Sequence, residues 1–375
     1  METIDRLDVF IEEKHVGTMA LYQRYRTAFE YSPEWLKSGF SISPFSLPLE
    51  PGVKIADLKP FDGLFGIFED SLPDGWGRLL VDRMLRKEGK DPEETDNLTR
   101  LSIVGSSGMG ALEYRPAHSW STASSGKDLD RLAEECRKVL QSEEPEDLDT
   151  LFDLGGSSGG ARPKVLIELD GEEWIVKFPS TNDPPEIGLM EYEYTRCAES
   201  CGIAVPEARL FPSKKNAGYF GSRRFDRIKQ GNSTKRVHMA SASALLEVSH
   251  RMPSLDYASL MALTWQLTKR ADELKRMYTL MCFNVFAHNR DDHSNNFTFL
   301  CDNGRWSLSP AYDLTYSNSI GGEHATTIAG EGRSPQMKDL LTVAAKAGLK
   351  ESWAKETAEM IRETVNTKLA GYLKK

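Results

Sequence analysis

Hydrophobic and polar residues alternate along the first part of the chain and change to helical spacing further on. Residues 7–11 and 16–19 place an apolar side chain at nearly every second position. Such alternation puts the apolar side chains on one face, which is typical of a half-buried strand. Residues 79–85 instead repeat apolar side chains at about the helical period. The pattern predicts a small α+β domain over residues 1–118.

The middle of the chain changes character twice. A Ser- and Gly-rich linker, an amphipathic helix over residues 128–141 and an acidic spacer make up residues 119–149. Residues 150–235 are rich in predicted strands, and residues 236–375 are predicted to be helical, with a break near residues 269–271. A β-rich part followed by a helical part is the expected arrangement for a nucleotide cleft between two lobes.

The segment that follows the long helical pattern has the spacing of a phosphoryl-transfer loop. Asp291 is followed five positions later by Asn296, as in the kinase pattern H-R-D-x-x-x-x-N. Phosphoryl transfer needs a carboxylate that takes the proton of the attacking hydroxyl, and an oxygen ligand for the metal that neutralises the phosphates. On its own, such a cluster of Asp, Asn and His is also compatible with a simple turn and cap network.

A second glycine-rich segment, residues 155–164, precedes two predicted strands, and Lys177 lies at the end of the second strand. Kinases place a glycine-rich loop over the phosphates of ATP and use a strand lysine to hold them. A glutamate on the next helix then pairs with the lysine; Glu191 is the candidate and Glu193 the alternative. A mobile turn and an exposed lysine remain the structural alternative. An earlier glycine cluster, residues 105–110, is interpreted as a tight turn because a strand, not a helix, follows it.

Two further positions complete the candidate nucleotide site. Asp313 follows a predicted strand pair and could chelate Mg²⁺ that bridges the phosphates, although the tripeptide D-F-G is absent and the chain has Tyr312-Asp313-Leu314 there. Backbone groups near Arg224 and Phe225 could bond the edge of an adenine where the two lobes connect. An aspartate after a proline turn can equally be a simple turn former.

Composition and charge exclude some classes of protein. Of the residues, 39% are hydrophobic and 27% are charged, and no apolar run is long enough to span a membrane. The net charge of −9 argues against a chain that coats nucleic acid, and we find no direct nucleic-acid-binding motif. The five cysteines are odd in number and scattered; Cys197 and Cys201 are predicted to be buried thiols on a helix. A cytoplasmic location is expected.

Taken together, these motifs resemble the HipA family, bacterial serine/threonine kinases that act as toxins of type II toxin–antitoxin modules. The similarity covers nearly the whole chain, and in the N-terminal module it rests on residues 71–76 and 105–111. In the remainder it rests on Gly159-Gly160-Ala161-Arg162-Pro163-Lys164, Trp174-Ile175-Val176-Lys177-Phe178-Pro179, Arg224-Phe225-Asp226-Arg227, Asp291-Asp292-His293-Ser294-Asn295-Asn296-Phe297 and Ala311-Tyr312-Asp313-Leu314.

The resemblance implies an α+β, bilobal protein-kinase-like fold with a β-rich N-lobe and a helical C-lobe, preceded by an additional small N-terminal α+β domain. It implies ATP and Mg²⁺ as cofactors, with Asp291 as catalytic base and Asn296 and Asp313 as metal ligands. An autophosphorylated serine in the glycine-rich loop is implied at Ser157, with Ser158 second. The implied ATP-binding residues are Ser158, Gly159, Gly160, Ala161, Arg162, Pro163, Lys164, Lys177, Arg224, Phe225, His293, Ser294 and Tyr312.

The resemblance also implies the partners. A helix-turn-helix antitoxin would supply the DNA contact, and the phosphorylated target would be a protein, possibly an aminoacyl-tRNA synthetase. Two other functions stay open. A small-molecule phosphotransferase would show an acidic pocket beside Asp291 for a cationic substrate. A catalytically silent binding partner would retain the fold and lose the chemistry, which the presence of Lys177, Asp291, Asn296 and Asp313 argues against.

Overall fold

The computed structural model describes residues 4–23, 25–118, 128–231 and 233–373. The chain forms two compact units. The first consists of Met1–Leu189 and Arg209–Met239, and the second of Met190–Ala208 and Ala240–Lys375. Over the described residues, no helix is both long and apolar enough to cross a bilayer.

An antiparallel sheet forms the start of the first unit. Its side chains alternate as predicted, since Leu7 and Val9 are buried while Asp8 and Phe10 are only partly covered. Its spatial order is β4-β3-β2-β1-β5. The strands are β1 (Arg6–Ile11), β2 (Lys14–Tyr22), β3 (Arg26–Tyr31), β4 (Lys54–Ile55) and β5 (Glu113–Arg115).

Six helices belong to the first unit as far as it is described. They are α1 (Pro33–Ser38), α2 (Gly66–Glu69), α3 (Gly75–Lys87), α4 (Asn97–Val104), α5 (Leu129–Leu140) and α6 (Leu148–Gly155). The predicted helix over 128–141 is confirmed as α5, with Asp128 capping its first turn. Helix α6 was not predicted; the acidic run before it supplies a helix cap, because the Asp147 carboxylate accepts from the Thr150 amide at 3.0 Å.

A second sheet follows, in the order β6-β7-β9-β8. Val165 and Val176 face a buried core that also contains Trp76 and Leu80 of α3. In the register of β6 and β7, Lys164 lies opposite Lys177. The elements are β6 (Lys164–Leu169), β7 (Glu172–Lys177), α7 (Ile187–Ser200), β8 (Ala208–Phe211), β9 (Tyr219–Arg223) and the separate hairpin of β10 (Arg227–Gln230) and β11 (Ser233–Arg236).

The second unit is mainly helical. Its core is built on α10, where Met277, Tyr278 and Phe283 are fully buried. The predicted break is confirmed at Lys269, which ends α9 in the left-handed conformation. The elements are β12 (His238–Ser241), α8 (Ala242–Leu246), α9 (Tyr257–Thr268), α10 (Ala271–Phe286), β13 (Thr298–Asp302), β14 (Arg305–Leu308), α11 (Met337–Lys346), α12 (Glu351–Lys368) and α13 (Ala370–Leu373). Strands β12, β13 and β14 form a sheet in that order.

Candidate active site

The predicted catalytic loop starts where α10 ends, and buried hydrogen bonds fix its direction. The Tyr194 hydroxyl donates to the carbonyl oxygen of Ala287 at 2.9 Å. Two residues later the backbone amide of Asn289 donates to the Asn284 carbonyl at 2.9 Å, and the side-chain amides of the same two residues pair at 3.0 Å. The chain therefore leaves the helix by a defined turn that presents the residues after it.

Asp291 and Asn296 are brought together as the spacing predicts. The Asn296 side-chain nitrogen donates to the backbone carbonyl of Asp291 at 2.7 Å. This bond uses the nitrogen of the Asn296 side chain and leaves its oxygen, the predicted metal ligand, out of the contact with Asp291. The Asp291 carboxylate is 60% exposed, and the Nε2 atom of His293 lies 3.8 Å from it. An accessible carboxylate beside an oriented amide oxygen is the arrangement that a proton acceptor and a metal ligand require.

The neighbouring carboxylate, Asp292, has the opposite environment. It is 0% exposed, and it accepts from the Tyr257 hydroxyl at 2.9 Å and from Nδ1 of His324 at 2.8 Å. The Thr326 hydroxyl donates to the Asp292 carbonyl at 2.5 Å. Because the side chain and the backbone of Asp292 are both bonded, the residue anchors the loop and leaves Asp291 as the exposed carboxylate of the pair. Sequence reasoning missed this network, since its members are far apart in the chain.

Tyr312 ties the Asp313 segment to the catalytic loop. Its hydroxyl donates to the carbonyl of Asn295 at 2.6 Å and accepts from the Thr298 hydroxyl at 2.5 Å. Asp313 follows in a left-handed backbone conformation, with φ of 54°, and is half-buried. The loop and Asp313 thus belong to one bonded assembly. The role of the Tyr312 hydroxyl in the structure is to tether these two segments.

The donor set fits Mg²⁺. An amide oxygen from Asn296 and a carboxylate from Asp313 are hard oxygen ligands, and Mg²⁺ typically takes one or two such groups together with phosphates and waters. In the described part of the chain, no group of three or more His, Cys, Asp or Glu side chains is placed to hold a metal ion. The site would therefore need the phosphates of a nucleotide to complete the coordination.

A small cavity adjoins the catalytic loop within the second unit. His293 and Ser294, both predicted to contact ATP, line it together with residues 248–250, residues 253–255 and residues 325–326. The His250 and His293 rings lie 5.5 Å apart between centroids. The described residues that line it include no carboxylate. The acidic pocket that would favour a cationic small molecule is not found here.

The glycine-rich loop, defined here as residues 155–164, is held by its own side chains at both ends. The Ser158 hydroxyl is buried and donates to the Gly155 carbonyl at 2.5 Å, whereas Ser157 is partly exposed and donates to Ser107 at 3.0 Å. The Lys164 ammonium donates to the Gly159 carbonyl at 2.5 Å. The loop therefore has a defined conformation although it contains four glycines.

Two basic side chains accompany this loop in the first unit. The ammonium of Lys177 lies 5.6 Å from the centre of the Phe220 ring. Arg162 binds Asp183 through two hydrogen bonds of 2.9 and 3.2 Å. Burial opposes ionisation of Asp183, but the hydrogen bonds from Arg162 and Ser180 and the charge of Arg162 together outweigh burial and lower the pKa of Asp183. Arg162 therefore shares its charge with Asp183 in this structure.

The structure places the side chain of Arg224 in a buried charged network. Its side chain is 1% exposed and pairs with Asp226 at 2.7 Å and with Glu173 at 3.1 Å. It also donates to the Gly108 carbonyl at 3.2 Å, and its backbone amide donates to the Glu173 carbonyl at 2.9 Å. The guanidinium and the backbone amide of Arg224 are therefore both bonded to protein partners. The predicted contact between Arg224 and ATP would therefore use the backbone carbonyl of Arg224, beside the backbone of Phe225.

The two candidate glutamates on α7 differ in exposure. Glu191 is 2% exposed, while Glu193 is exposed and accepts from the Tyr372 hydroxyl at 2.5 Å. The pairing of either glutamate with Lys177 stays a prediction from the sequence. Glu191 belongs to the second unit, and Lys177 belongs to the first.

All five cysteines are buried free thiols, so the prediction for Cys197 and Cys201 is confirmed. Burial raises the pKa of Cys136 and of Cys282, the latter to about 12, because a charged thiolate is disfavoured away from water. None of these thiols is accessible to solvent, as a reactive cysteine is. They are part of the hydrophobic cores.

Two family models match the chain. Residues 7–115 match the HipA N-terminal domain, and residues 156–369 match the HipA-like C-terminal domain. Among solved structures, a HipA toxin of Shewanella oneidensis, in a complex with HipB and its operator DNA, superposes with a TM-score of 0.72 at 18% identity and covers 97% of this chain and 90% of that one. The Helicobacter pylori proinflammatory kinase CtkA gives a TM-score of 0.37 at 13% identity over 55% of this chain and 90% of that chain.

These matches confirm two predictions made from the sequence. The fold is α+β and shared with the Shewanella HipA toxin, with a separate N-terminal domain, and the resemblance read from the motifs is correct. The C-terminal model alone covers more than half of the chain, and the N-terminal model accounts for most of what precedes it. The chain belongs to the HipA family.

Proposed function

We propose that the protein is an ATP- and Mg²⁺-dependent protein serine/threonine kinase that acts as the toxin of a bacterial type II toxin–antitoxin module. The observation that carries this proposal is the bonded assembly of Asp291, Asn296 and Tyr312-Asp313, in a chain of the HipA family. Spacing alone left these residues open to a role as turn formers. Their arrangement gives each of them a separate chemical task.

Asp291 is assigned as the proton acceptor. As the hydroxyl oxygen of the acceptor forms its bond to the γ-phosphorus, the bond to ADP breaks and the hydroxyl proton passes to the Asp291 carboxylate. The 60% exposure of that carboxylate leaves room for an incoming protein side chain. Asn296 and Asp313 are assigned to Mg²⁺. When bound, Mg²⁺ would neutralise the charge of the phosphates.

The ATP contacts are assigned to the first unit and to the loop side chains. Lys177, Arg162 and Lys164 supply positive charge, and the glycine-rich loop supplies backbone groups without side chains in the way. His293 and Ser294 stay in the proposed set through their position beside Asp291. Arg224 is retained only for its carbonyl.

Autophosphorylation is assigned to Ser157. Ser158, the alternative, is buried, and its hydroxyl is committed to the Gly155 carbonyl. Ser157 is partly exposed, and its hydroxyl is bonded only at the surface, to Ser107. A phosphate would add about −1.5 to −2 charges to a loop that must hold ATP, so we expect the modified protein to bind nucleotide poorly.

The partner and target follow from the family. The Shewanella toxin was solved with HipB and operator DNA, and we propose a HipB-like helix-turn-helix antitoxin as the partner of this chain. The net charge of −9 suits a chain that leaves DNA contact to its partner. We propose a protein target, with aminoacyl-tRNA synthetases as the first class to test, and a cytoplasmic location, where free thiols persist.

The test is incubation with γ-labelled ATP and Mg²⁺, followed by mapping of the label. We expect label on the wild-type protein at Ser157, none on Asp291→Asn, none in the loop of Ser157→Ala, and retained loop label on Ser158→Ala. Equal labelling of Asp291→Asn would contradict the assigned base. Label found on small molecules alone would replace the proposal with a small-molecule phosphotransferase, and absence of nucleotide binding would leave only a binding role.

A further inference from the structure

The first turn of α3 forms hydrogen bonds with the backbone of the glycine-rich loop. Asp74 stands at the helix cap position but makes no cap bond within its own helix. Its carboxylate instead accepts from the backbone amide of Gly160, and the backbone amide of Trp76 donates to the Gly160 carbonyl at 2.9 Å. One residue of the loop, Gly160, is therefore bonded at its N–H and at its C=O by two residues of the N-terminal domain.

The approach is too close for any side chain at the contact. A Cβ atom added to Gly77 would lie 2.1 Å from the Ser158 carbonyl oxygen, and one added to Gly75 would lie 2.4 Å from the Gly160 carbonyl oxygen. Real Cβ atoms do not come within 3.0 Å of such atoms. The glycines of this turn are thus required by the packing of loop backbone on helix backbone.

Two further bonds extend the same contact. The Trp76 indole nitrogen donates to the Lys164 carbonyl at 3.1 Å, at the point where the loop becomes β6. The Ser157 hydroxyl donates to the Ser107 carbonyl at 3.0 Å. Ser107 belongs to the earlier glycine cluster of the N-terminal domain. Both motifs of that domain that carry no chemistry of their own therefore hold the loop of the proposed ATP site.

We propose that the first turn of α3, from Asp74 to Gly77, is a clamp that holds the glycine-rich loop in its nucleotide-binding position, so that Asp74 and Gly77 are positioning residues for phosphoryl transfer. This inference rests on the proposed kinase function. The clamp also explains how phosphorylation of Ser157 would displace the loop. A phosphate on Ser157 removes the proton that the hydroxyl donates to Ser107 and sets negative charge against that carbonyl, which opens the contact.

The first test variant is Gly77→Ala, in which the added Cβ atom clashes with the backbone of the loop. Alanine has a higher helix propensity than glycine, so the helix itself should tolerate the change while the loop is displaced. The added Cβ also meets Pro73 at 2.9 Å, so Asp74→Ala serves as a second variant that removes the bond and adds no bulk. Gly371→Ala in α13, where an added Cβ meets nothing within 4 Å, is the matched control.

Two quantities are measured on the full-length chain: hydrogen exchange of the peptide covering residues 155–164 without nucleotide, and equilibrium binding of a non-hydrolysable ATP analogue with Mg²⁺. Loss of a hydrogen bond to a charged group corresponds to roughly tenfold or more in an equilibrium constant. We expect loop exchange about tenfold faster and ATP-analogue affinity about tenfold weaker in Gly77→Ala and Asp74→Ala, with Gly371→Ala like wild type.

The two measurements separate the clamp from the kinase proposal. Unchanged loop exchange in both clamp variants overturns the clamp, whatever the protein binds. Faster exchange with unchanged nucleotide affinity overturns it as well, because the loop position would then not matter for ATP. A wild-type protein that binds no nucleotide refutes the proposed function, while the exchange experiment alone still decides whether α3 holds the loop.

Discussion

The adjacent residues Asp291 and Asp292 allow one pair of matched substitutions to test the site. Each is changed to asparagine, which keeps the shape and removes the charge. Asp291 is 60% exposed, with His293 at 3.8 Å as its neighbour. Asp292 is 0% exposed and lies in a buried network. The same chemical change should therefore damage function at one position and folding at the next.

The magnitude for Asp292→Asn follows from its partners. One carboxylate oxygen accepts from both Tyr257 and His324, and the other accepts from the Thr326 amide at 3.3 Å. The Tyr257 hydroxyl must donate here, because it already accepts from Asn284 at 2.9 Å. The side-chain NH₂ group of the new asparagine would face a hydrogen-bond donor in either orientation of its amide. Lost charge and one opposed donor should lower the free energy of unfolding by about 3 kcal/mol.

Asp291→Asn should lower the rate of phosphate transfer. A positioned general base contributes roughly 10²–10⁴-fold, so the initial rate of phosphate transfer at saturating ATP should fall by about that factor. An exposed substitution of this kind changes stability by no more than about 0.5 kcal/mol. Rates come from labelled ATP, and stabilities come from urea unfolding of both variants and wild type under one set of conditions.

Two results would refute this reasoning. If Asp291→Asn destabilised the protein as much as Asp292→Asn, the exposed carboxylate would be structural, and the loop would be a turn network. If Asp291→Asn kept the wild-type rate, another group would be the base. An inactive but fully stable Asp292→Asn would show that its buried hydrogen bonds contribute to activity and not to folding.

The remaining predictions concern the first unit. Burial lowers the pKa of His238 to about 4 although its Nε2–H donates to the Ile42 carbonyl. The folded protein therefore keeps its full stability above pH 6.5, and the free energy of unfolding in urea should be about 2 kcal/mol lower at pH 5 than at pH 7.5. His238→Gln should abolish this difference. Asp226→Ala leaves Arg224 and Arg227 buried without their shared carboxylate and should cost about 3–5 kcal/mol in the same assay. Asp149→Ala, which breaks the half-exposed pair with Lys87, should cost less than about 1 kcal/mol. Equal costs for the two aspartates, or the same loss between pH 7.5 and pH 5 in His238→Gln as in wild type, would show that burial has been misjudged.

Local patterns in the sequence were sufficient for most elements because the same physics acts locally in the fold. The alternation of apolar and polar residues predicted β1, because one face of that strand is buried. The helical spacing of apolar residues predicted α5. Just after α11, Gly348 has a φ of +71°, the conformation in which glycine commonly ends a helix. Helix α6 was missed because its acidic N-terminal turn has the composition of a linker, and only its packing on the core shows that it is folded.

Arg224 illustrates the limit of pattern for side chains of the site. Its position in a motif shared with kinases of the family suggested a nucleotide contact. What decides its role is Glu173 on another strand, the Gly108 carbonyl in the N-terminal domain and a buried Asp226 two residues away. Burial opposes ionisation of Asp226, yet Arg224 outweighs it and lowers the pKa of Asp226, so both groups are charged inside the fold. Such a pair depends on three segments that only folding brings together.

The supporting hydrogen bonds of the site share one physical feature, which explains why the sequence did not show them. Reactive groups can be recognised by type and spacing, since a reaction needs a carboxylate, an amide oxygen or an ammonium. Their supports act on backbone atoms: Tyr312 bonds the Asn295 carbonyl, Asn296 the Asp291 carbonyl, and Trp76 the carbonyls of Gly160 and Lys164. A backbone carbonyl is present at every position and leaves no trace in the sequence. Motifs that lack chemistry of their own, when they stand near a reactive motif in the fold, are therefore the first places to look for the groups that position it.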